Sequence, residues 1–314
     1  MLLNLTDHDA PAMRRVIGGI VSADAPVHLF HPAGDVTGGA GFVAAALDPA
    51  WDAMPDVERR VDISIRGTDA GGQVWHGEAG HYAGTFANPL FGIPPTGRQA
   101  FLRYHEFFRM EDGLATEVQA IWDLPDLMFQ AGAWPMGPAL GRTGLVPGPM
   151  THDGVSPGGD GAAALGIVGD MLAHLQFSPR GEDAMRLPAF WHPRCAWYGP
   201  GGIGTARGIA GFRRHHQIPF LDAMPDRQGN VGDGHFFAEG DYVGYTSWSG
   251  MGMTITGGGW LGIPGNGQRL VMRSLDFWRV RDGLIRENWV TVDLLHVWDQ
   301  LGVDVLARMR EVAG

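Results

Sequence analysis

The chain has 314 residues, 45% of them hydrophobic and 18% charged, and a formal net charge of −11 at pH 7. It can bury sizeable cores and is not disordered, and its acidic balance argues against nucleic acid or an anionic membrane as a partner. All 23 Lys-or-Arg positions are arginine, which excludes Schiff-base lysines, pyridoxal phosphate attachment and a P-loop lysine, and the single cysteine, Cys195, excludes an internal disulfide framework.

From the N-terminus, MLLNLTDHDAP lacks the basic region and apolar core of a leader, and the longest apolar runs are too short to cross a bilayer. A cytoplasmic location is the resulting expectation. Residues 9–21 carry helical periodicity. DAMPD at 52–56 recurs at 222–226, and the same offset of 170 relates FFRMEDGL (107–114) to FWRVRDGL (277–284) and GIP at 92–94 to GIP at 262–264. An alignment of 41–132 with 211–302 without a gap is expected, and so an internal duplication. Residues 133–160 are dense in Gly and Pro and read as a connector. A helix over 160–176 opens the second copy. A short helix at 182–190, stopping near His192-Pro193, a strand at CAWYG and a helix over 205–217 follow. HFFAEGDYVGYTSW reads as one hairpin, and RLVMRSLDFWRV with LIRENWVTVDLLHVW as a second. The tail, 300–311, returns to helix. Helices followed by antiparallel strands make each copy α+β. The expected layout is a first domain at 1–135, a connector at 136–158 and a second domain at 159–314. DAMPD is expected to end a helix and turn the chain into the sheet, with structural aspartates.

WLGIPGNGQ, WRVRDGLIRENW and VDLLHVWDQLG, recurring as LFGIPPTGR, FRMEDGLATEVQ and WDLPDLMFQAG, are similar to the SnoaL-like polyketide cyclases of the NTF2-like superfamily. The resemblance covers about 90 residues of each copy. It implies two tandem NTF2-like cone-shaped α+β barrels, each a curved antiparallel sheet wrapped around helices with a pocket at the open end. It also implies sheets that pair, here as an intramolecular pseudo-dimer, with a further homodimer left open. The implied activity is metal-free acid/base chemistry on an apolar, polyketide-like carbonyl substrate. The alternatives are a non-catalytic small-molecule binder and a protein-interaction module.

Strand alternation puts Met272, Ser274, Asp276, Trp278 and Val280 on one face, and the resemblance aims that face and 288/290 into the pocket. Asp276 is the expected base, with Asn288 and Arg286 beside it to orient the substrate or stabilise an enolate; a purely structural Asp276–Arg286 couple is the other reading. Trp278, Trp248 and Ser274 are expected to line the pocket. Tyr104, Glu106 and Phe108 mark the corresponding pocket of the first copy, expected to be the less active. The resemblance places an acid after the Trp of E-x-W-D, where this chain has Val290 and Ala120, and a His where it has Asp276 and Glu106. His76 and His81 read as flanking a glycine loop in the first copy alone. His235 falls in a predicted strand, and His215 and His216 on the helix. No cofactor is expected, and no metal, since His192 and Cys195 supply at most a pair of ligands. GPGGIG (199–204) matches G-x-G-x-x-G without a βαβ series and reads as a turn from strand into helix rather than a dinucleotide loop.

Overall fold

The computed structural model describes residues 10–177, 185–228 and 234–313. The first copy runs α1 (Ala10–Ile20), β1 (Pro26–Leu29), β2 (Val36–Thr37), α2 (Gly38–Phe42), a widened helical turn (Val43–Leu47), α3 (Asp48–Ala53), β3 (Glu58–Thr68), β4 (Val74–Thr85), β5 (Gln99–Glu111), β6 (Leu114–Trp122) and α4 (Leu124–Gln130). The second runs α5 (Ala162–Phe177), α6 (Leu187–Phe190), β7 (Trp191–Tyr198), β8 (Thr205–Arg207), α7 (Gly208–Phe212), another widened turn (Arg213–Gln217), α8 (Ile218–Ala223), β9 (His235–Glu239), β10 (Tyr242–Thr254), β11 (Arg269–Arg281), β12 (Leu284–Val292), α9 (Leu294–Gln300) and α10 (Val305–Ala313). Among the described residues each copy forms a six-stranded sheet, in the orders β2-β1-β6-β5-β4-β3 and β8-β7-β12-β11-β10-β9. The fold is α+β, as expected, with one parallel pairing in each otherwise antiparallel sheet, β1 with β6 and β7 with β12.

DAMPD does what its chemistry requires. The helix stops at Ala53 and at Ala223. The final aspartate then ties the next strand down: Asp56 accepts from the Thr85 N–H and hydroxyl, and Asp226 from the Thr254 N–H. Three local expectations differ. The strand expected at CAWYG already begins at Trp191 and carries Pro193, which an edge position or bulge accommodates. Residues 205–217 open as strand β8 before becoming helical. Residues 182–184 of the expected short helix lie outside the described residues, and the helix described starts at Leu187.

The constant offset conceals compensating changes. In the first copy 68–74 separate the pair Gly67↔Trp75, whereas in the second only Gly240 and Asp241 separate Glu239↔Tyr242. Residues are regained partly at the bulge where β10 slips against β11 between Ser247 and Met251. Glu78 faces Glu106 and Tyr245 faces Asp276, so the structural equivalent of Tyr245 is Glu78 and not Trp75. The gapless alignment is therefore corrected across 58–85 and 235–254.

The sheets pack on each other about a local two-fold relation. Phe107 stacks on its own repeat equivalent, Phe277, at 4.8 Å between centroids, and Phe237 meets Phe107 edge-on at 5.7 Å. His105 Nδ1 donates to the Leu275 carbonyl at 2.9 Å, and Thr246 bonds to Gln119. Asp123 accepts from the Gly201 N–H of the second copy, and Asp293 from the His31 N–H of the first, with Arg103 and Arg273 as their ion-pair partners. GPGGIG is thus a clasp between the copies in the β7–β8 loop. A Cβ on Gly201 would lie 2.3 Å from Asp126 N. The 133–160 segment is bound to both copies: Arg142 bridges to Thr205, Trp289 Nε1 donates to the Pro147 carbonyl, and Ser64 exchanges backbone bonds with Gly154 and Ser156.

Gly77 is where this packing is tightest. A methyl there would meet ring carbons of Phe107, Phe237 and Phe277 at 2.9, 3.0 and 3.0 Å. Gly77→Ala overpacks the centre of the sheet pair, and denaturant unfolding is expected to show a loss of about 1–3 kcal/mol; an unchanged midpoint would contradict the packing described.

Candidate active site

Packing the odd-numbered faces of β5 and β11 together turns the even-numbered faces into the interior of each domain. Tyr104, Glu106 and Phe108 face the interior of the first, and Ser274, Asp276 and Trp278 that of the second; all six are buried. The two interiors solve the same electrostatic problem differently.

In the first domain Glu106 belongs to a dense network. Arg59 pairs with Glu78 and Glu106, each at 2.8 Å, and lies over the Tyr104 ring at 4.3 Å. Tyr82 Oη and Trp122 Nε1 donate to Glu106 at 2.9 and 3.0 Å. Burial would raise the Glu78 carboxyl, but Arg59 and a hydrogen bond from His76 outweigh it and bring it down to about 2. Burial pushes the Tyr82 and Tyr104 hydroxyls well up. The two carboxylates are thus held by charge pairing with Arg59 and by hydrogen bonds from Tyr82, Trp122 and Ser64. His76 and His81 do not flank a loop, because Val74–Thr85 is one strand. His76 points to the interior, where it meets Glu78, and His81 pairs with Asp62 at 3.2 Å.

In the second domain Asp276 has no cation partner among the described residues. Its side chain takes one hydrogen bond, from Ser274 Oγ at 3.0 Å. Burial pushes its carboxyl up to about 7, and the Ser274 bond opposes this only in part. Its cross-strand neighbours are Tyr245 on β10 and Val290 on β12. Val290 occupies the position where the resemblance calls for an acid, and Ala120 faces Glu106 in the same way. Directly opposed residues have Cβ atoms roughly 5 Å apart. The carboxyl at 276 therefore projects beside the space that an acid at 290 would occupy. Further polar atoms in this interior have no hydrogen-bond partner among the described residues: the donors Trp278 Nε1 and Ser247 Oγ, and the ring nitrogen His216 Nδ1, are buried and unbonded. His216 stacks on Trp197 at 4.1 Å, and burial lowers its imidazole to about 3. Trp197 is the register partner of Asn288.

The expected site residues are only partly brought together. Ser274, Asp276, Trp278 and Asn288 share one face, and Asn288 Nδ2 is spent on the Phe277 carbonyl at 2.9 Å. Arg286 is not beside Asp276. The register slips between Arg279 and Val280, and Arg286 sits at the hairpin end, 3.8 Å from Asp282. The Asp276–Arg286 couple therefore does not form. Trp248 lies on the other face of β10, between the copies, stacked on His28 at 5.2 Å with Arg273 over its ring at 4.5 Å. His216, Ser247 and Tyr245 were not singled out as site residues. His216 and its neighbour His215 looked alike in the sequence, and only packing against Trp197 selects one. Among the described residues no group of three His, Cys, Asp or Glu could hold a metal ion, and no helix is long and apolar enough to cross a membrane.

The family model of the SnoaL-like polyketide cyclases matches residues 17–131 and 175–301. The chain belongs to that family. Its two matches fall on the two copies, so the family's unit occurs here in tandem. Among solved structures, this family member is similar to IdmH of Streptomyces antibioticus, a candidate polyketide cyclase, at 21% identity over 42% of this chain and 93% of that one, with a TM-score of 0.34. It is also similar to TsrD of Streptomyces laurentii (24% identity, 44% and 96% covered, TM-score 0.34) and to an NTF2-like protein of Burkholderia xenovorans LB400 (17%, 45% and 97%, 0.36). No curated protein matches the chain.

The two interiors predict opposite pH behaviour. The Glu78 carboxyl is depressed when folded, so its contribution to stability is present above about 4.5 and lost as pH falls toward about 2. Arg59→Met strands two buried glutamates and is expected to cost about 3–5 kcal/mol at pH 7, with the deficit against the parent narrowing as the pH is lowered through that window. The Asp276 carboxyl is raised when folded, so it penalises folding increasingly from pH 3.8 up to about 7. Asp276→Asn is expected to stabilise the protein by on the order of 3 kcal/mol more at pH 8 than at pH 4. Unfolding curves at these pH values check both.

Proposed function

We propose that the second domain is a polyketide cyclase-type acid/base site, with Asp276 as the base, acting on an apolar carbonyl substrate without a metal. The observation that supports it is the buried carboxyl of Asp276, which has no ion-pair partner among the described residues and which burial pushes up to about 7. A base with its pKa near the working pH is suited to removing an acidic C–H proton. The proton leaves the carbon alpha to a carbonyl and moves to Asp276, and the electron pair becomes an enolate. Trp278 Nε1 and Ser247 Oγ are the donors available to its oxygen. Trp278 serves as wall and donor, and Ser274 holds the carboxyl. The enolate carbon then attacks a second carbonyl of the same molecule, held folded for ring closure, and as its C=O π bond opens the new alkoxide takes back the proton from Asp276, which restores the base. Asn288, fixed to the Phe277 carbonyl, orients the surrounding surface rather than the enolate. Arg286 and Trp248 take no part.

The first domain serves as scaffold in this reading. Tyr104, Glu106 and Phe108 mark the equivalent place, but Arg59 neutralises the carboxylate that would act there.

A linear β-polyketo ester is a suitable probe, with deuterium exchange at its α-carbon followed by NMR and cyclised product by mass spectrometry. The parent rate is expected to rise with pH through an apparent pKa of about 7. Asp276→Asn is expected to lower the exchange rate by about 10²–10⁴-fold. Equal rates in parent and variant, or no exchange by the parent above buffer, remove the role assigned to Asp276 and favour a non-catalytic binder.

A further inference from the structure

A second feature lies in the first domain, away from Asp276. A cavity of about 370 Å³ is lined by Ser64, Arg66, His76, Met110, Asp112 and Glu239, with adjoining backbone. That volume is at the lower end of small-molecule pockets, which run roughly 300–1,000 Å³. Its lining is contributed by both copies, because Glu239 belongs to β9. Glu239 accepts from the Arg66 and Gly158 N–H groups, which fixes that wall.

His76 at this cavity is held in one tautomer. Its Nε2 lies 2.8 Å from Glu78 Oε1. Glu78 is fully buried and ionised by its pairing with Arg59, and an ionised carboxylate only accepts. Nε2 therefore carries the hydrogen, and Ser64 Oγ also donates to the same carboxylate oxygen at 3.3 Å. In the neutral ring the lone pair is then on Nδ1, which has no hydrogen-bond partner among the described residues. A carboxylate behind an imidazole both orients the ring and strengthens its free nitrogen as an acceptor. The arrangement is confined to the first copy, since Tyr245 replaces Glu78.

We infer that this cavity is a second ligand site, in which His76 Nδ1 accepts a hydrogen bond from the acidic hydroxyl of a small enol or phenol. Arg66 and Ser64 supply polar wall, and Met110 supplies apolar wall. The site is independent of the role given to Asp276.

The full chain labelled with ¹⁵N-histidine and titrated with 4-nitrophenol tests this. The His76 resonances are assigned by their loss in His76→Phe. The expected result is an Nε2–H tautomer whose Nδ1 signal shifts upfield to saturation, with affinity by calorimetry reduced roughly tenfold in His76→Phe. The inference is overturned by an Nδ1–H tautomer in the free protein, by saturation that leaves the His76 signals unmoved, by equal affinity in the variant, or by no binding at millimolar ligand. His76→Gln serves as a second assignment variant, so the tautomer, read on the parent protein, decides even if His76→Phe folds poorly.

Discussion

The contact on which the rest of this molecule depends is Phe107 against Phe277, with no side chain at Gly77 to hold the rings apart. Side chains alternate along a strand. Once position 107 is committed to the sheet–sheet surface, 103 and 105 follow it and 104, 106 and 108 must turn inward. The same holds for 273, 275 and 277 against 274, 276 and 278. A slip of one residue would exchange the two lists. The aromatic pair between the copies is therefore what places a carboxyl in each interior, although both rings lie on the opposite face of their strands.

Much of this was legible in the sequence, because the signals are periodic and local. The repeat, the hairpins, the Pro-Asp turn after each helix and the inward face of β11 all follow from alternation and turn chemistry. Errors gathered where alternation is interrupted. Arg286 was grouped with Asp276 by counting in twos from Asn288, but the bulge at Arg279/Val280 intervenes and leaves it at the hairpin end. Trp248 sits at the edge of the bulge between Ser247 and Met251, and nothing local marks it as stacking on His28 of the other copy. The gapless offset misled in another way. Insertions and deletions that sum to nothing cannot be seen in an alignment anchored at both ends, and they put Tyr245 where Glu78 stands. That single exchange removes the second carboxylate from one interior.

The two domains show what that exchange does. A buried carboxylate is costly unless paired, and each interior meets the cost differently. In the first, Arg59 sits between two glutamates, tyrosine and tryptophan donors complete the shell, and the chemistry is fixed. In the second, Tyr245 and Val290 flank Asp276, and the cost appears instead as a raised pKa. A group that is expensive to ionise takes up a proton readily at neutral pH, so the property that weakens the fold is the one that a base requires.

Tandem duplication makes that cost tolerable. A domain carrying an uncompensated carboxyl and several unbonded donors gives up stability that a single small core has little surplus to replace. Here the second domain shares its sheet surface with a copy whose interior carboxylates are both paired with Arg59. Reciprocal clasps, Asp123 to Gly201 and Asp293 to His31, tie the loops of one to the helix caps of the other. Asp293 shows that this coupling is itself not free of strain: burial raises its carboxyl to about 6 against the pull of Arg273, so its ionisation costs stability as pH rises from 3.8 to about 6 and acidification relieves that cost. The two halves thus share a surface built from equivalent residues, while their interiors differ: in one the buried carboxylates are charge-paired, and in the other the buried carboxyl of Asp276 has no cation among the described residues.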